Sequence, residues 1–117
     1  MDPQLFQLAV IFEQECRYII RREQFPTKIR FILEGSYTFD VFYRTRTASY
    51  SYTLLKGEQR IMGWDNAPHH RNLEGFPNHF HAQDGRVYPS SLVNDPASDI
   101  ILVAQQLNNF LAGKSLT

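Results

Sequence analysis

All four histidines of this 117-residue chain, His69, His70, His79 and His81, fall between Trp64 and His81, a stretch that also holds the only tryptophan. Imidazole changes charge near neutrality, so a cluster of such rings can pass protons or, when neutral, ligate a metal. In Trp64-Asp65-Asn66-Ala67-Pro68-His69-His70, the proline holds Ala67 in extended or turn geometry, and His69 and His70 then leave any preceding strand in a stiff connector. Phe76-Pro77-Asn78-His79-Phe80-His81 follows. If this piece is extended, its two-residue period points His79 and His81 to one side and Phe80 to the other, where it anchors the segment.

Two chemistries suit such rings. One is general acid-base catalysis, in which a neutral and a protonated imidazole cleave RNA through its own 2'-hydroxyl. His69, His70, His79 and His81 are then the catalytic candidates, with Asp65 orienting one of them. Arg30 or Arg71 would meet phosphate charge with a planar fork, and Trp64 and Asn66 complete the candidate substrate-binding set. The other chemistry is binding of Zn²⁺ or another divalent ion by imidazoles and Asp65, although no His-Glu-x-x-His or Cys-x-x-Cys pattern supports it. A bland reading stands beside both: the rings satisfy backbone carbonyls, Trp64 and Phe76 are packing anchors, and Asp65 caps the Asn66-Ala67 turn.

These residues need a frame. Asp2-Pro3 and Asp95-Pro96 each put a carboxylate at a helix N-cap and a proline at the first helical position. From Pro3 the stripe Leu5, Leu8, Phe12, Cys16 and Ile19 predicts a helix to about residue 21. From Pro96, Ile100, Val103, Ala104, Leu107, Phe110 and Leu111 predict another, with Gly113 as a left-handed C-cap. Between them, alternation predicts strands over Lys28 to Glu34, Tyr37 to Arg44, Ser49 to Leu55 and Gln59 to Asp65, turned by Gly35-Ser36 and Lys56-Gly57. The expected fold is a single α+β domain over residues 1–117, a four-stranded antiparallel meander flanked by the N- and C-terminal helices. One face packs on the helices. The other carries Arg30, Glu34, Asp40, Arg44, Ser51 and Thr53, so that polar face and the imidazoles can share a cleft.

Twelve basic and twelve acidic residues cancel, which removes any global field toward nucleic acid or membrane. Arg17, Arg21, Arg22, Lys28 and Arg30 nevertheless form a local basic stretch for RNA phosphates or an acidic partner. The single Cys16 cannot form an internal disulfide and reads as a small buried hydrophobe. No apolar run reaches the length of a membrane span, and Asp2 stands where a signal peptide carries positive charge, so the expected location is the cytoplasm.

The string Trp64-Asp65-Asn66-Ala67-Pro68-His69-His70, with Phe76-Pro77, His79 and His81, resembles the TumE-type family of toxin-antitoxin loci. The Glu34-Gly35-Ser36 turn and the tyrosine-rich strand before Lys56-Gly57 extend the resemblance over roughly residues 28 to 112. Asn78 and Phe80 depart from a Phe-Pro-His-His-Lys-His pattern. The resemblance implies a toxin-like component encoded beside a small DNA-binding antitoxin and acting on RNA or translation. A second copy of the chain is a further partner compatible with this reading, as is a regulatory role in which the outer helices pair with the antitoxin.

Overall fold

The computed structural model describes residues 1–68 and 71–114. Its architecture is α+β with a helix at each end, but the sheet has seven antiparallel strands in sequential order rather than four. In chain order the elements are α1 (Pro3–Glu15), β1 (Ile19–Gln24), β2 (Lys28–Leu33), β3 (Tyr37–Arg44), β4 (Ser49–Lys56), β5 (Gln59–Asp65), β6 (His79–His81), β7 (Val87–Pro89) and α2 (Pro96–Ala112). The central four follow the predicted alternation closely, because β2, β3 and β4 bury every second side chain. The three additional strands have other origins.

The sequence predicts helix through residue 21, yet α1 stops at Glu15. Asn108 of α2 is the cause: its Nδ2 donates to the Glu15 carbonyl at 2.8 Å, and its Oδ1 accepts from the Arg17 amide at 2.9 Å. That side chain takes over backbone groups which a further helical turn would use, and the chain leaves as β1 to pair with β2. β6 and β7 are three residues each and carry no periodic signal of their own. Pairing with β5 and then with each other makes them strands.

Three smaller expectations are also corrected. The residues between β4 and β5 are Gly57 and Glu58, since Lys56 pairs with Gln59; Gly57 supplies the positive φ, at 62°. Gly113 has φ −84° and is not a left-handed cap. Asp2 caps α1 by accepting from Gln4, but the Asp95 side chain makes no capping bond. At α2 the Asp99 carboxylate, one turn in, reaches back to accept from the Val93 amide at 3.0 Å.

Both helices lie on one face of the sheet and pack against each other. Phe12 of α1 meets Phe31 and Phe39 with ring centroids 4.7 and 4.6 Å away, and Tyr37 meets Phe110 of α2 edge-on. Leu5, Leu8, Phe12, Ile100, Val103 and Leu107 are fully buried there. Each such side chain contributes about 1.5–3 kcal/mol on burial. Cys16 is buried as expected, and burial pushes its thiol pKa up. Among the described residues, no helix is long and apolar enough to cross a membrane.

The segment joining β5 to β6 is pinned at both ends. Asn66 accepts from the Tyr50 amide at 2.9 Å and donates to the Ala48 carbonyl at 2.7 Å. Asn78 accepts from the Tyr50 hydroxyl at 2.6 Å, a bond buried on the helix side of the sheet. Tyr50→Phe should leave Asn78 Oδ1 buried without that donor, at a cost of about 1–3 kcal/mol. Urea unfolding reads this directly, and an unchanged midpoint would mean that the start of β6 is held by something else.

Candidate active site

Strand register assembles the site. Asp65 on β5 lies opposite Ser51 on one side and His79 on the other; Gly63, two residues earlier, lies opposite Thr53 and His81. Two-residue periodicity puts Gly63, Asp65, His79 and His81 on the outer face, away from the helices. Trp64 and Phe80 take the inner face, where their rings pack at 5.2 Å.

The Asp65 carboxylate is held by both rings. His79 Nε2 is 2.6 Å from Oδ1, and His81 Nε2 is 2.8 Å from Oδ2. Oδ1 also accepts from the Ala67 amide at 3.0 Å, so the turn-capping role expected for Asp65 and its orienting role coexist. The two rings meet nearly edge to face, with centroids 4.8 Å apart.

The two histidines differ in what they can do. His79 is 2% exposed, and its Nδ1 lies 3.0 Å from the Pro77 carbonyl. A carbonyl only accepts, so Nδ1 is the donor in that contact, and Nε2 faces the carboxylate. His79 is thus the inner, buried member of the pair. His81 has a side chain 14% exposed. Burial lowers its pKa, with the positive charges of Arg60 and His79 acting in the same direction, and the Asp65 carboxylate offsets only part of the effect. Neutral His81 donates Nε2–H to Asp65, which makes Nδ1 its basic nitrogen.

Asp65, His79 and His81 also offer three donor atoms within 4.8 Å of one another. In a tetrahedral zinc centre with 2.0–2.1 Å bonds, neighbouring donors lie roughly 3.3 Å apart. The 2.6 and 2.8 Å separations are hydrogen-bond lengths, so the arrangement described is a proton-sharing one.

Beside Asp65 the outer face opens into a cavity of about 410 Å³ walled by Phe42, Ser51, Asn66, Ala67 and Pro68. A cavity of about 290 Å³ beyond Tyr50 and Asn66 is walled by Tyr43, Tyr52 and Asp99, and neither cavity is lined by His79 or His81. The first is the candidate site because it borders Asp65, the carboxylate that both rings hold.

The predicted site residues separate accordingly. Asp65, His79 and His81 come together, and Asn66 adjoins them while its amide is engaged in the turn. Trp64 is 2% exposed and anchors the inner face. Arg30 lies in the same cross-strand row as Gly63, with β3 and β4 between, about 14 Å away by strand spacing. Its guanidinium grips Asp40 at 2.7 and 2.9 Å, and Lys28 joins at 3.1 Å. Arg71 is exposed in the connecting segment. His69 and His70 lie outside the described residues. Much of the basic stretch is internally matched, since Arg21 pairs with Glu23 and Arg22 with Glu13.

Sequence reasoning missed Arg60. Leu54 pairs with Met62 but Leu55 with Arg60, so Ile61 is an extra residue in β5. In a regular strand Arg60 would share the inner face with Trp64; the bulge buries Ile61 and turns Arg60 outward with Gly63 and Asp65. A glycine inside an alternating strand, Gly63, was the one signal available for it.

Residues 7–111 match the family model described as Toxin TumE. The match reaches back into α1, beyond the span that the motifs cover. Comparison with curated proteins and with solved structures gives no match. Asn78 and Phe80, the two departures from the pattern, face the helices, where Asn78 bonds Tyr50 and Phe80 packs on Trp64. They leave the Asp65, His79 and His81 face as it is. With the match covering most of its length, the chain belongs to the Toxin TumE family.

Proposed function

We propose that this toxin-like protein cleaves RNA at a phosphodiester by using the 2'-hydroxyl of its substrate. The observation that carries the reading is the Asp65 carboxylate held between the Nε2 atoms of His79 and His81. His81 is the general base: neutral at pH 7 because burial lowers its pKa, it takes the 2'-hydroxyl proton on Nδ1. The 2'-oxygen bonds to phosphorus as the bond to the 5'-oxygen breaks, leaving a 2',3'-cyclic phosphate and a 5'-hydroxyl. His69 or His70, which follow directly after cavity-lining Pro68, supplies the proton for the departing 5'-oxygen. Asp65 stabilises the imidazolium that forms on His81, and buried His79 holds Asp65 in place. Arg71, in the same connecting segment, meets phosphate charge.

Family membership supports an antitoxin as the protein partner. The outer helix face, where Phe6 and Val10 of α1 are exposed one turn apart, is where it would pair. The cytoplasm is the location such a reaction requires.

A second reading, a divalent-ion module, is favoured by the three donors within 4.8 Å. Its signature is one tightly held zinc per purified chain, lost in His79→Ala and His81→Ala. Metal analysis decides between a zinc protein and the proton-sharing site.

His81→Ala should lower cleavage of an RNA oligonucleotide by about 10²- to 10⁴-fold with folding intact, and a 2'-deoxy substitution at the scissile position should abolish it. Cleavage by His81→Ala at the wild-type rate, or of the deoxy substrate, sinks the mechanism. NMR titration of His81 should give a pKa below the ordinary 6.5, so that its base form persists into mildly acid solution. In Asp65→Asn the carboxylate's upward pull is gone, and the pKa should fall further; a rise would contradict the arrangement.

A further inference from the structure

The β5 bulge has a second effect on the same face. Arg60 does not extend straight into solvent from its outward position. Its Cδ lies only 3.5 Å from where a Cβ would stand on Gly63, with Thr53 Oγ1 at 3.6 Å from that point. The side chain therefore runs forward along β5 and covers Gly63, whose cross-strand neighbour is His81. Its charge reaches that imidazole and contributes to holding its pKa down.

Among the described residues no carboxylate pairs with Arg60. Arg30 and Lys28 are held by Asp40, Arg22 by Glu13, Arg21 by Glu23 and Arg86 by Asp84, whereas Arg60 shares its strand face with His81 and Asp65 and has no such carboxylate among those residues. A guanidinium on the same face as an imidazole works against positive charge gathering there, and an anion bound beside both relieves that repulsion. An exposed guanidinium on the face that carries His81 and Asp65 is the form of an anion subsite. Planar guanidinium donors suit the paired non-bridging oxygens of a phosphate.

We propose that Arg60, laid over Gly63, forms a phosphodiester-binding subsite next to His81. The identity of the ligand rests on the RNA-cleaving reading above; the existence of the subsite does not. Arg60 binds the phosphate that His81 acts upon, or the one beside it along the strand, and neutralises charge that builds on the phosphoryl oxygens. Arg60 thereby joins Arg71 in the role that sequence alone offered to Arg71 or Arg30, the latter's guanidinium being occupied by Asp40.

The test separates binding from cleavage by using a fluorescein-labelled 2'-O-methyl RNA octamer, which has no 2'-hydroxyl to attack. Anisotropy with the full chain, between about 50 and 200 mM salt, gives affinity and its salt slope. Arg60→Ala should weaken binding roughly tenfold and flatten the log-log slope by about 0.7, one phosphate contact's worth on a single strand. Arg60→Lys should keep the slope and recover part of the affinity, since charge remains while the fork is lost. Arg86→Ala, an exposed arginine paired with Asp84 in the turn between β6 and β7, should change neither quantity. Inorganic phosphate should compete more weakly than the octamer if a diester is the ligand; equal competition would point to free phosphate and overturn the diester assignment. Absence of wild-type binding, or Arg60→Ala binding with unchanged affinity and slope, overturns the subsite. If Arg60→Ala behaves as expected while no RNA is ever cut, the subsite stands and the catalytic reading falls.

Discussion

A carboxylate between two imidazoles is the interaction on which the rest of this structure turns. A partly buried charge must be matched by donors or it is costly. Among the described residues Asp65 has three: the Nε2 atoms of His79 and His81 and the Ala67 amide. None comes from a neighbouring strand formed before Asp65 in the chain. The two rings arrive on β6, which extends the sheet only after an intervening segment has folded back. Pairing Asp65 with His79 and Gly63 with His81 is therefore both the edge extension of the sheet and the assembly of the site.

The two faces of the sheet divide the labour. The inner face buries large apolar side chains under α1 and α2 and fixes where β5 and β6 lie; Trp64 against Phe80 is the contact that sets the strands on that side. The outer face can then hold polar groups in a fixed relation with little packing of its own. Tyr50 links the faces, for its amide bonds Asn66 at one end of the connecting segment and its hydroxyl bonds Asn78 at the other. This division also accounts for the two departures from the motif, since positions 78 and 80 belong to the inner face and can change without altering the outer one.

Charge is arranged with similar economy. The chain is neutral overall, and several cations of its basic stretch sit on carboxylates. Asp40 illustrates the principle: burial would raise its pKa, but hydrogen bonds from Arg30 and Lys28 outweigh burial and hold it below the usual carboxylate range. A cluster so matched serves the stability of β2 and β3. Arg60 differs through a bulge, a one-residue irregularity that changes which face a side chain occupies.

By itself the sequence determined β2 to β5, the glycine turns near 35 and 57, the proline-led helix starts and the shared side of His79 and His81. Each follows from short-range rules, because alternation, capping and positive φ are properties of a few adjacent residues. Only the tertiary structure decided that α1 ends at Glu15, since the groups that end it belong to Asn108, far along the chain. It alone made strands of His79–His81 and Val87–Pro89, put Arg30 on Asp40, buried Trp64 and turned Arg60 outward. Ladder pairing, bulges and ion-pair partners are contacts between distant segments, and their energies appear only once those segments lie side by side.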